Sequence, residues 1–214
     1  WLLEFCNKAQ TELEGCVFWM GGARVDLLDE PLIQELRKSG FYEISVGVES
    51  FDDRILKAIG KNFSAEQLFQ TIRLLKKYGL APSYLGMLFG FPEDDADSLR
   101  VSVEAIKKLG LRAYFQYPLP FPGTTLFSYI RENGLVPNIN EFMLKMADQM
   151  TQDLFINLSQ FTDEDLREMV SDAEKSIAAD FDKLHCVSND QPPPKSFYLR
   201  FIELLRSFKK KLSG

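Results

Sequence analysis

Cysteine, histidine and long apolar runs are scarce in this 214-residue chain, and each scarcity closes off a class of function. The three cysteines, Cys6, Cys16 and Cys186, are odd in number and widely spaced, matching neither a disulfide framework nor a metal-ligand cluster. They read as reduced structural residues. The single histidine, His185, stands beside Cys186, and one such pair without a second makes no metal site. No stretch approaches the ~20 apolar residues of a spanning helix, and no signal peptide is visible, so a cytoplasmic protein is expected. Positive charge is in deficit. Lysine and arginine number 25 against 31 acidic residues, a net charge of −6, which argues against a general nucleic-acid binder, whose phosphate contacts need a basic face. An initiator methionine is missing too. The chain opens on Trp1 inside an amphipathic helical pattern of Leu2, Phe5, Ala9 and Leu13, and is expected to be a piece of something longer.

What is present is a globular composition, 45 % apolar and 26 % charged, sufficient for one sizeable core and an appendage. Up to about Gly134 the pattern alternates helix and strand. Helices are expected at 2–14, 29–39 and 97–109, with a long helical region over 52–78 interrupted at Gly60 and restarted by the capping-box pattern Ser64-x-x-Gln67. Strands are expected at 17–20, 43–49, 83–91 and 112–118. Four strands separated by helices imply right-handed βαβ units in a parallel sheet. Their spacing suits a (β/α) barrel, of which four units make half.

The most informative stretch is Gly86-x-Leu88-x-Gly90-x-x-Glu93, an apolar strand ending in a glycine-proline turn over acidic residues. Period 2 puts Gly86, Leu88 and Gly90 on one face, and glycine inside a strand marks close approach by a ligand or a neighbouring element. A flat adenine ring would suit such a wall. Glu49 stands at the carboxyl end of its strand, where ligands of barrels and open α/β sheets bind. A carboxylate there can accept hydrogen bonds from ribose hydroxyls; the alternative is a solvated residue or a helix cap.

These residues carry a resemblance. Gly47-Val-Glu49-Ser50, Ile55-Leu56 with Lys61, Gly86-x-Leu88-x-Gly90-x-x-Glu93 and Pro122-Gly123-Thr124 occur in an order that resembles the second half of a radical S-adenosylmethionine enzyme core. The likeness covers about residues 17–135. Within that superfamily it is nearest to the cobalamin-domain-bearing branch, which includes the anaerobic magnesium-protoporphyrin ester cyclases and several methyltransferases. The fold implied is α/β, a partial TIM-like half-barrel of about four parallel strands plus a helical C-terminal extension.

The resemblance implies S-adenosylmethionine and a [4Fe–4S] cluster as cofactors, with cobalamin as a further one in that branch. It also implies a reaction in which an electron from the cluster cleaves the sulfonium and a 5′-deoxyadenosyl radical takes hydrogen from a small-molecule substrate. On this basis Glu49 and Ser50 would meet the ribose, Lys61 the carboxylate of the cofactor, Gly86, Leu88 and Gly90 the adenine, and Glu93 would orient the loop. Arg24 and Tyr117 are candidate substrate contacts, although Arg24 equally suits a rim salt bridge and Tyr117 a core position. No residue is named as a catalytic acid or base.

Departures matter as well. The Cys-x-x-x-Cys-x-x-Cys cluster loop and the Gly-Gly-Glu-like strand of that family are absent, so the chain is expected to start after the second strand, to need an N-terminal remainder of the same polypeptide, and to be inert alone. The turn reads Gly-Phe-Pro-Glu-Asp-Asp where relatives often have Gly-Leu-Pro-Gly-Glu-Thr, which leaves the capping acid open among Asp94, Asp95 and Asp97. A noncatalytic half-barrel that binds a nucleotide or partner is the alternative.

Domain boundaries are expected at 1–135 for the half-barrel, 136–186 for a helical extension and 187–214 for a linker and tail. After Pro118 helices are expected at about 125–132, 140–158 and 163–182, the last capped by Thr162 and striped by Leu166, Met169, Ala173, Ile177 and Phe181. Pro192, Pro193 and Pro194 stiffen the linker. The amphipathic tail 196–212 suits docking onto the barrel better than lying on an anionic membrane, because the chain as a whole is acidic.

Overall fold

The computed structural model describes residues 1–13, 15–147 and 153–186. It is an α/β protein with short parallel strands. In chain order it comprises α1 (Leu2–Glu12), β1 (Phe18–Ala23), a 3-10 turn (Val25–Leu27), α2 (Glu30–Lys38), β2 (Phe41–Val46), α3 (Asp53–Ala58), α4 (Ala65–Lys77), β3 (Tyr84–Leu88), α5 (Ala96–Leu109), β4 (Arg112–Gln116), α6 (Thr125–Glu132), α7 (Ile139–Ala147) and α8 (Asp163–Cys186). Trp1–Phe181 forms one compact unit; the linker and tail at 187–214 lie outside the described residues.

Local chemistry sets the helix starts. Asp29 accepts a hydrogen bond from the Leu32 amide to open α2, and Asp52 accepts one from Arg54 to open α3. Ser64 and Gln67 form the reciprocal capping box of α4. Thr124 and Thr162 cap the next segments through Phe127 and Asp165. Such caps satisfy amides that have no intrahelical partner, each contributing ~1 kcal/mol.

Strands pair in two parallel couples, β1 with β2 and β3 with β4. The expected continuous ladder is broken between them. Among the described residues an isolated bridge from Glu49 to Met87 joins the two, beside bonds from the Ile44 amide to the Leu80 carbonyl at 2.9 Å and from the Leu88 amide to the Glu49 carbonyl at 2.9 Å. The reason lies after Val46, where Glu49 adopts φ 62, a left-handed conformation that no regular strand contains. The strand expected at 43–49 therefore ends at Val46, and that expected at 83–91 ends at Leu88.

One apolar core fills the space between the sheet and its helices. Ile44, Val46, Leu85, Met87 and Phe115 of the strands meet Ile33, Leu36, Leu68, Ile72, Leu75 and Ile106 of α2, α4 and α5. Burying side chains of this size contributes about 1.5–3 kcal/mol each. Leu166, Ala173 and Ile177 of α8 are buried in the same core, so this helix packs with the sheet. The Glu174 carboxylate accepts the Phe115 amide of β4 at 2.8 Å, and Arg112 lies over the Phe181 ring at 4.7 Å. The helix expected at 140–158 does not reach 158, since residues 153–158 are not helical. Among the described residues helix α7 spans Ile139–Ala147, and around Asn157 the chain turns instead, the Asn157 side-chain amide donating to the Phe161 carbonyl while its oxygen accepts from Ser159. Asparagine competes with helix in this way through its own backbone bonds. A small cluster of Ile130, Phe142 and Leu158 holds α6 and α7 together.

Candidate functional site

Glu49, Lys61 and Leu88 meet at the carboxyl ends of β2 and β3, on the rim of a cleft of about 450 Å³ that also takes in Phe91, Glu93 and Thr124. The end of the strands is where the crossover loops leave a concavity. Glu49 reaches the cleft because of its unusual backbone. Its amide and carbonyl both bond to β3, to the Gly86 carbonyl at 3.4 Å and the Leu88 amide at 2.9 Å, while the side chain turns back over Gly47. A Cβ at Gly47 would stand 3.2 Å from the Glu49 Oε1 and 3.7 Å from the Lys61 Nζ. Glycine there leaves room for both charged groups.

Lys61 Nζ donates to Glu49 Oε1 at 3.0 Å. With side chains 29 % and 24 % exposed, neither ion is so desolvated that the other must remain its partner, and both can turn to a ligand. Lys61 also borders a second cavity of about 300 Å³ with Gly22, Arg24, Gly47 and Phe63, and its ammonium lies 5.9 Å from the Phe63 ring.

The remaining candidates separate. Leu88 is half-buried on the cleft face of β3, and Glu93 is exposed on the rim. Gly86 shares the Leu88 face, where a Cβ would meet the Tyr114 hydroxyl at 3.0 Å, so the closest approach there is by Tyr114. Gly90 leaves that face. At φ 114 it lies beyond the strand, and a Cβ would meet Leu166 of α8 at 3.3 Å. Packing accounts for this glycine. Ser50 is buried, accepting from the Asp52 amide at 3.1 Å and lying 3.4 Å from the Ser102 hydroxyl; it ties the loop after β2 to α5. Arg24 is engaged bidentately by Asp26 at 3.1 and 2.7 Å, which raises the guanidinium and lowers the carboxylate from their ordinary values. Tyr117 is a core residue, its phenol pushed up by burial, and lines neither cleft.

Asp94, one of the three acids left open as the cap of α5, does something else. Its carboxylate is buried; Oδ2 accepts the Gly90 and Phe91 amides at 2.9 Å each, and Oδ1 accepts the Ser98 hydroxyl at 2.7 Å. Burial raises its pKa against those hydrogen bonds. The capping acid of α5 is Asp95, reciprocal with Ser98; Asp97 instead pairs with Arg100. A short acid two residues after the Phe-Pro pair, ahead of a serine at i+4, is the signal that marks Asp94 in the sequence.

Residues 12–108 match the model of the Radical SAM superfamily. The chain is 28 % identical over 159 residues to an uncharacterized methyltransferase of Pyrococcus horikoshii, covering 73 % of this chain and 33 % of that protein. It is 27 % identical over 84 residues to an oxygen-independent coproporphyrinogen III oxidase of Cereibacter sphaeroides, 39 % of this chain and 19 % of that one. Among solved structures, the radical S-adenosylmethionine methyltransferase TsrM of Kitasatospora setae, with cobalamin and a [4Fe–4S] cluster bound, superposes with a TM-score of 0.53 at 20 % identity over 62 % of this chain and 27 % of that chain. That likeness shows the fold. The chain thus spans a third or less of the length of these relatives.

Proposed function

We propose, from the premise that residues 12–108 are a segment of the radical SAM superfamily, that the cleft at the ends of β2 and β3 holds S-adenosylmethionine, within a partial TIM-like barrel to which this chain contributes four parallel strands. The observation that carries this reading is the Glu49–Lys61 pair poised over Gly47 beside the apolar Leu88. The donor set fits the ligand. Glu49 can accept hydrogen bonds from the ribose hydroxyls, Lys61 can pair with the amino-acid carboxylate as a point charge, and Leu88 and Phe91 offer an apolar wall to the base. When bound, S-adenosylmethionine supplies a sulfonium that can be cleaved by one electron. The cleft residues named here bind and orient the ligand.

The described residues do not fit the iron–sulfur cluster. No group of three or more potential metal donors occurs among them, and Cys6 is buried on α1 while Cys16 is exposed before β1. No step is assigned through the cluster.

Two-dimensional NMR titration of the chain tests the reading. S-adenosylmethionine and 5′-methylthioadenosine, which lacks the amino-acid carboxylate, should each shift the amides of Glu49, Leu88 and Glu93. Glu49→Ala should weaken both ligands, and Lys61→Ala should weaken S-adenosylmethionine alone. Absence of shifts with either ligand at millimolar concentration overturns the assignment.

A further inference from the structure

Between the cleft and α5 the chain runs Gly90, Phe91, Pro92, Glu93, Asp94, and three of these residues, Phe91, Pro92 and Glu93, form one wall of the cleft. Nothing regular holds this segment. It follows the end of β3, Gly90 is at φ 114, and Pro92 has no amide to donate. Four of the ties that fix it converge on Asp94. The carboxylate takes the amides of Gly90 and Phe91 on one oxygen and the Ser98 hydroxyl on the other, and the Asp94 amide returns to the Phe91 carbonyl at 3.1 Å. Ser98 is itself anchored on α5 by its bonds to Asp95. Because the amides lie in a buried setting, they need an acceptor there.

We infer that Asp94 is a positioning residue, whose carboxylate sets where the Phe91–Glu93 wall stands and so the affinity of the cleft for a nucleoside thioether; the affinity part rests on the ligand proposed above. What the wall needs is an acceptor, not a charge. In Asp94→Asn the side-chain oxygen can take both amides, and the new NH2 can donate to Ser98 Oγ, whose own proton then goes wholly to the Asp95 carbonyl at 2.9 Å. Asp94→Ala leaves both amides without a partner.

The experiment compares the full chain with Asp94→Asn and Asp94→Ala by amide NMR and by titration with 5′-methylthioadenosine, well below each unfolding temperature. Asp94→Asn should keep the exchange protection of Gly90 and Phe91 and bind within about twofold of the parent. Asp94→Ala should lose that protection, shift the Glu93 and Thr124 amides, and bind about tenfold more weakly, the equivalent of one net hydrogen bond. A merely structural role would lower the unfolding temperature of Asp94→Ala and leave the dissociation constant of the folded protein unchanged, which overturns the inference. If Asp94→Ala does not fold, Asp94→Asn decides: loss of protection or of binding there refutes the acceptor argument. If the parent chain binds no nucleoside, the ligand assignment fails separately, and the wall position stands or falls on the Glu93 and Thr124 shifts in Asp94→Ala.

Discussion

Replacing Glu49 by alanine and by glycine separates the two things this residue does. Its backbone stands at φ 62, where an L-residue carries a penalty of roughly 1–2 kcal/mol. Its carboxylate pairs with Lys61 at 3.0 Å with both side chains partly exposed, an interaction worth about 0.2–1 kcal/mol. Glu49→Ala removes the pair and keeps the strain, so stability should fall by roughly that smaller amount. Glu49→Gly removes the pair and the strain together, at an added entropic cost of roughly 0.5–1 kcal/mol in the unfolded chain. The glycine variant should therefore exceed the alanine variant by about 0.5–1 kcal/mol, or about 1–4 °C in Tm for a chain of this size. Thermal and urea unfolding read the difference, and NMR titration reads ligand binding, which should weaken alike in both. Equal stability of the two variants would refute the strain argument. Restored binding in the glycine variant would refute the role of the carboxylate.

Gly90→Ala should destabilise by about 1–3 kcal/mol, because φ 114 strains any side chain and the Cβ meets Leu166; urea unfolding with an unchanged slope checks it. Asp94 should give an inverted pH dependence. Since burial raises its folded pKa above the ordinary value of 3.8, its contribution is fully present below that value and is lost as pH rises through the folded one, so the stability advantage of Asp94→Asn over the parent should shrink on acidification and be greatest at neutral pH. Thermal unfolding of both proteins across that range tests the sign, and a gap that widens in acid contradicts it. Glu174→Ala should leave the Phe115 amide without its acceptor, costing about 1–3 kcal/mol; hydrogen exchange should quicken first at Phe115, and unaltered exchange there would discount the bond.

Signals confined to neighbouring residues were the ones that could be read in advance. The Ser64-x-x-Gln67 box and the Thr162 cap depend on atoms three residues apart, and both form. The order of helices and strands up to β4 likewise follows from periodicity and punctuation. What escaped depends on contacts across the fold. The side-chain oxygens of Asp94 and Asp95 look alike in sequence, yet one is buried beneath a turn and the other caps a helix in the open, because only the first has amides folded back over it. Gly86 and Gly90 share a period-2 face only while the strand continues, and it stops at Leu88. Glu49 and Lys61 were each legible as candidates by position. Their pairing was not, since it requires a left-handed residue that nothing in the local sequence announces.

Helix α8 gives the sheet a direction of growth. With Glu174 bonded to the Phe115 amide and Leu166, Ala173 and Ile177 sunk into the core beside it, the β4 flank is already finished, and a strand approaching from that side would have to displace a helix. At the other flank β1 pairs only with β2 among the described strands, and Val17 just before it and Trp19 within it are exposed. A further strand would therefore meet an unpaired edge at β1 and a packed helix at β4.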